Sequence, residues 1–187
     1  GGAVRFPSRA PNGSERGLSM PDPDVILVGV VSRQPPHVLE KAAEFAGKFN
    51  AMLVCARVDP SRYLVERFAD GRFTSMPVDP EVSDLRVEAF DGSLRDRIAA
   101  ILEPTGIRWS VQPLVGDPSH ELAALADRVD ALMIVVGTRA PGFRGTLQEF
   151  FSGSVAAQLA HRQHRPLIVV PNPGTRTNAP PPWETRE

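Results

Sequence analysis

The run DVILVGVV (Asp24–Val31) is apolar almost without interruption and rich in β-branched residues. A strand with one wet face alternates apolar and polar residues. A strand covered on both faces does not, and in a soluble domain that usually means a parallel sheet with helices on either side. The segment that follows, PPHVLEKAAEFAGKFN, places Leu39, Ala42, Ala43, Phe45, Ala46 and Phe49 at helical spacing. Such a stripe suits a helix lying on a sheet.

The alternation continues along the chain. AMLVCARV (Ala51–Val58) is a second buried strand, and Gly92–Glu103 a helix with Leu94, Ile98, Ile101 and Leu102 on one side. IRWSVQPLV (Ile107–Val115) is a third strand. Asp117 and Pro118 then open a helix as cap and first helical residue. ALMIVVG (Ala131–Gly137) is a fourth strand, and RPLIVVP (Arg165–Pro171) a fifth. Strands alternating with helices predict an α/β fold, a Rossmann-like five-stranded parallel sheet with helices on both faces. Between Asp59 and Asp84 no period is sustained, and Asp59-Pro60, Asp70-Gly71 and Asp79-Pro80 mark turns. This segment reads as a long loop or lid. Residues 1–22 read as a flexible arm and residues 172–187 as a proline-rich tail, leaving a domain at 23–171.

Composition narrows the function. The net charge is -1, which gives no general attraction to nucleic acid or to an acidic membrane. No apolar run approaches the ~20 residues that span a bilayer. The single cysteine, Cys55, lies in an apolar run, which fits core packing and a reducing, cytoplasmic setting. Neither lysine, Lys41 or Lys48, stands in a phosphate-loop signature, and no G-x-G or G-x-S-x-G occurs. His161 and His164 end a helix with no cysteine or carboxylate cluster beside them, so no structural metal is expected.

VVGTRAPGFRGTLQEFFSGSVA (Val135–Ala156) leaves the carboxyl end of the fourth strand, the side on which such sheets bind ligands. Gly137, Gly142 and Gly145 allow close backbone approach, and Arg139 and Arg144 offer bidentate pairing to phosphate. Thr146 and Glu149 have capping-box spacing, and Gly153-Ser154 interrupts the helix they open. The same residues also describe a strand, a turn and a helix with solvated arginines.

The order of Gly116-Asp117-Pro118, the strand ending Gly137-Thr138, Gly153-Ser154 and PLIVV resembles the second half of a universal stress protein domain. The stretch from Asp24 to Val58 resembles the first half more weakly, so the likeness covers about Asp24–Pro171. It suggests a single-domain member of actinobacterial type. The resemblance implies an adenine-nucleotide alpha-hydrolase-like domain, a homodimer paired through its last strand, and in many members a bound ATP or AMP, with Mg2+ only if ATP. By that match the ligand site would comprise Val31 and Val58 on the nucleoside side, with Gly137, Thr138, Arg139, Gly142, Arg144, Gly145, Gly153 and Ser154 around the phosphates. The chain departs from the pattern in three ways. Ala140 replaces the second loop glycine, the loop is longer, and Val31 and Ser32 stand where binders carry an Asp. Arg62 or Tyr63 from the lid would have to replace that carboxylate. The resemblance implies a cytoplasmic stress-response regulator that binds adenine nucleotide. The alternative is a non-binding dimeric scaffold. A slow ATPase would need a metal-binding carboxylate, and Asp117 and Glu149 both have capping roles. Neither nucleic acid nor membrane is an expected partner.

Overall fold

The apolar run at the start of the domain forms the middle strand of a parallel sheet. A computed structural model describes residues 23–138 and 155–171. The elements are β1 (Val25–Gly29), α1 (Pro36–Phe49), β2 (Met52–Asp59), β3 (Arg62–Arg67), β4 (Phe73–Pro77), β5 (Arg86–Val87) and α2 (Gly92–Leu102). After a 3-10 turn at Glu103–Thr105 come β6 (Trp109–Val115), α3 (Pro118–Arg128), β7 (Met133–Gly137), α4 (Val155–Arg162) and β8 (Leu167–Val170).

Five strands pair in the order β6-β2-β1-β7-β8, all parallel. Side chains of β1 alternate between two cores. Ile26 and Val28 join α1 and α2, with Leu39, Ala42, Ile98 and Leu102. Val25 and Leu27 join α3 and α4, with Leu122, Ala126 and Leu159. Because both faces are covered, polar residues have no place on this strand. Ile26, Leu27 and Val28 are fully buried, each contributing about 1.5–3 kcal/mol of burial. Phe49 departs from the expected stripe. It ends α1 and is 49% exposed, while Val38 joins the buried face instead.

The expected lid is structured. β3, β4 and β5 form an antiparallel sheet of their own. Gly71, at φ 88°, makes the turn between β3 and β4, and Phe68 and Arg72 close it by backbone hydrogen bonding. The period-2 signal is broken because the register shifts between Leu64 and Glu66, which moves the side chains beyond a bulge to the other face. Two residues separate the end of β2 from the small sheet, and β3 contacts β6.

Candidate functional site

The strand order reverses between β1 and β7, since the chain builds outward from β1 through β2 to β6 and then crosses back to β7. Ligands of open α/β sheets sit at such a switch point, outside the carboxyl ends of the strands. Here the crevice lies between the residues after Gly29 and those after Gly137.

Gln34 occupies this crevice. Its main-chain N–H donates to the Val31 carbonyl at 3.0 Å, forming a tight turn after β1. Its side chain folds back across the turn. Oε1 accepts from the Val31 N–H at 3.1 Å, and Nε2 donates to the Gly29 carbonyl at 3.3 Å. Pro35 and Pro36 follow immediately and fix the entry into α1. Arg97 on α2 holds the turn from outside, donating to the carbonyls of Ser32 and Gln34. Both partners are neutral, and among the described residues no carboxylate pairs with this guanidinium at the end of β1. Val31, 60% exposed, shares a small pocket with Val30, Leu94, Arg97 and Ile98. Val58 lies on β2 and packs against the α3-side core.

Gly137 has a packing role here. A Cβ at this position would lie 2.9 Å from Val38 Cγ2 and 3.2 Å from Gln34 Nε2. Only a glycine lets the Gln34 amide and Val38 close over the end of β7. Gly137 pairs with Val170, and the Thr138 N–H donates to the Val170 carbonyl at 3.0 Å, carrying the β7–β8 ladder one step further. At the outer lip, His37 Nε2 donates to the Pro171 carbonyl at 2.9 Å. Arg139, Gly142, Arg144, Gly145, Gly153 and Ser154 lie outside the described residues.

The two residues expected to replace the missing carboxylate make their contacts within the small sheet. Arg62 is 5% exposed, and its guanidinium is consumed inside the small sheet. Nε donates to Ser75 Oγ at 2.7 Å, Nη1 to Asp84 Oδ2 at 2.9 Å and Nη2 to the Ser75 carbonyl at 3.0 Å, with Glu88 in ion-pair contact. A buried arginine with this many partners is a structural tie. Tyr63 is exposed and its hydroxyl contacts Met76 Sδ at 3.8 Å. Asp59, at the end of β2, is also engaged. Its carboxylate accepts from the Ser61 N–H and hydroxyl. Burial raises its pKa, but those bonds and the Arg57 and Arg86 charges more than offset this and lower it overall.

Asp117 caps α3. Oδ1 accepts from the His120 N–H at 2.8 Å, and the Ser119 hydroxyl beside it lies 2.8 Å from the Gln158 amide oxygen. The Ser119 hydrogen bond, followed by that from His120 N–H, lowers the Asp117 pKa. Among the described residues, no three His, Cys, Asp or Glu side chains cluster to hold a metal. No described helix is long and apolar enough to cross a membrane. Gln34, Arg97 and His37 escaped the sequence reading as site residues. The available signal was a polar residue directly between a strand end and a proline pair.

Similar architectures occur in solved structures. A universal stress protein in complex with cAMP matches with TM-score 0.54 and 22% identity, over 80% of this chain and 97% of that one. The universal stress protein of Archaeoglobus fulgidus in complex with dAMP matches with TM-score 0.50 and 20% identity, over 79% and 97%. In sequence, a universal stress protein of Methanocaldococcus jannaschii is 26% identical over 127 residues, 66% of this chain and 72% of that protein. The family model described as universal stress protein matches residues 23–171, the span that carries the five-stranded sheet, the four helices described on it and the crevice, and the chain therefore belongs to the universal stress protein family.

Proposed function

We propose that the crevice between the ends of β1 and β7 binds an adenine nucleotide, AMP or ATP, with Mg2+ accompanying only ATP. The protein then acts as a cytoplasmic stress-response regulator and not as a catalyst. The observation that carries this reading is Arg97. It sets a positive charge, met among the described residues by carbonyls alone, beside a switch-point crevice whose opposite lip is a glycine. An anionic ligand gains from such a charge. The complexes of similar proteins with cAMP and dAMP support an adenine ligand. Arg139, Gly142, Arg144, Gly145, Gly153 and Ser154 would complete the phosphate side, with Val31 and Val58 toward the nucleoside. Titration calorimetry with ATP, ADP and AMP on the full chain tests this. Absence of heat at millimolar nucleotide ends it.

A second reading, a dimeric scaffold without nucleotide, is favoured by Gln34, which fills the crevice with its own chain's hydrogen bonds. Both readings include a homodimer through β8. That strand is the sheet's edge, and Val169 on it is 44% exposed. An uncovered edge of this kind invites pairing with a second chain.

A further inference from the structure

Open α/β sheets that bind nucleotides offer a carboxylate to a free ribose hydroxyl, and an arginine where the ribose carries a phosphate. The lip at the carboxyl ends of β1 and β2 is of the second kind. Two carboxylates lie near it, and both are engaged by their own chain. Asp59 accepts from the Ser61 N–H at 3.0 Å and from its hydroxyl at 2.6 Å. Asp91 caps α2, accepting from the Leu94 N–H at 2.9 Å and from the Ser93 hydroxyl at 2.7 Å. Arg57 lies on this side of the sheet, since Leu53 and Cys55 precede it at alternate positions of β2 and join the α1–α2 core. Its charge is shared with Asp59 and Asp91.

Arg97 is engaged differently. Its Nη1 donates to the Ser32 carbonyl and its Nη2 to the Gln34 carbonyl at 3.3 Å, and among the described residues these are its hydrogen bonds. A guanidinium has five N–H groups and no acceptor. The Nε–H and one N–H on each terminal nitrogen are therefore left for another partner. The two carbonyls already hold the side chain in place, so a ligand does not have to order it. Arg33, in the same turn, is exposed and has no ion-pair partner among the described residues. A ribose hydroxyl meets no disengaged carboxylate from Asp59 or Asp91 here. A dianionic phosphate, which only accepts, meets a planar fork of donors.

Position separates this cation from the 5′-phosphate. In the proposed binding mode the 5′ end lies at the Gly137 lip. Arg97 belongs to the other lip and shares its pocket with Val31, on the nucleoside side. Gln34 spans the two. Its carbonyl accepts from Arg97, and its amide nitrogen stands 3.2 Å from the point where a side chain on Gly137 would begin. The cation and the 5′ lip are thus one residue apart, which is the scale of a ribose.

We infer that the crevice takes an adenosine bisphosphate, with one phosphate at the 5′ end and a second on the ribose 2′ or 3′ oxygen, and that Arg97 binds the second. This rests on the reading of the crevice as an adenine-nucleotide site and adds a phosphate to its ligand.

Titration calorimetry on the full chain compares AMP, ADP, adenosine 3′,5′-bisphosphate and adenosine 2′,5′-bisphosphate. One of the bisphosphates is expected to bind about tenfold or more tightly than AMP and ADP, the gain from charge-assisted hydrogen bonds to one phosphate. Arg97→Gln is expected to abolish that preference, with circular dichroism to verify folding. Arg97→Lys, which keeps the charge without the fork, is expected to retain only part of it. The ligand series itself needs no variant. AMP binding as tight as that of both bisphosphates overturns the inference and leaves the nucleotide reading standing. So does an equal gain with ADP, which sets the second phosphate along the 5′ chain, or a preference that survives in folded Arg97→Gln. Absence of heat with all four ligands at millimolar concentration ends both.

Discussion

The Gln34 amide nitrogen stands 3.2 Å from the point where a side chain on Gly137 would begin. One residue follows the first strand and the other ends the fourth parallel strand of the sequence. They meet because β1 and β7 are neighbours. The glycine is therefore explained by what lies over it, before any ligand is considered.

Gly137→Ala should destabilise the protein by about 1–3 kcal/mol, the usual cost of overpacking. The added methyl group meets Val38 at 2.9 Å, and Val38 is 1% exposed with no room to retreat. Val38→Ala in the same chain should recover part of the loss. Urea denaturation of the two single variants and the double variant measures this coupling.

Gln34→Ala should tighten AMP binding about 5- to 150-fold. Admitting a ligand to the crevice requires breaking two hydrogen bonds, to Gly29 and Val31. At about 0.5–1.5 kcal/mol each they oppose entry. Calorimetry compares the variant with wild type. Weaker binding in the variant would instead make the amide a ligand contact.

Arg62→Met should leave Glu88 and Asp84 without their main cation and cost about 3–5 kcal/mol in the small sheet, the cost of breaking a buried pair. Arg86 remains 2.9 Å from Glu88 and limits the loss. Hydrogen exchange should rise across Arg62–Glu88 while Ile26–Val28 stay protected, because the main sheet does not depend on Arg62.

Asp117→Asn should flatten the acid limb of the stability curve. The folded pKa of Asp117 is lowered, chiefly by the Ser119 hydroxyl. Its contribution is thus complete above the ordinary aspartate pKa of about 3.9 and is lost as the pH falls through the lower folded value. Thermal melts between neutral and acid pH should converge for wild type and variant at the acid end. Asp117→Ala should cost about 1 kcal/mol at neutral pH through the lost cap.

Cys55 should resist thiol reagents until the protein unfolds. It is completely buried, and burial pushes its pKa up to about 12, leaving almost no thiolate at neutral pH. Labelling with a disulfide reagent should follow global unfolding as urea is raised.

The main sheet was legible because β1, β2 and β7 are covered on both faces and so read as unbroken apolar runs. The Asp117-Pro118 start was legible because its chemistry is local. The small sheet was not. Its bulge at Leu64/Glu66 breaks the alternation, and its outward face carries apolar residues where water would lead one to expect polar ones. Arg62 reads as a free cation until the fold brings Ser75, Asp84 and Glu88 to it from later in the chain. Gln34 was invisible for a similar reason. Its role depends on folding back over its own turn and on the distant Arg97.

The hydrogen bond from His37 to the Pro171 carbonyl fastens the end of the last strand to the start of α1, three residues beyond Gln34. Tension applied to the chain after Pro171 is therefore delivered to the lip of the crevice. A probe attached after Pro171 should therefore report on changes at that lip.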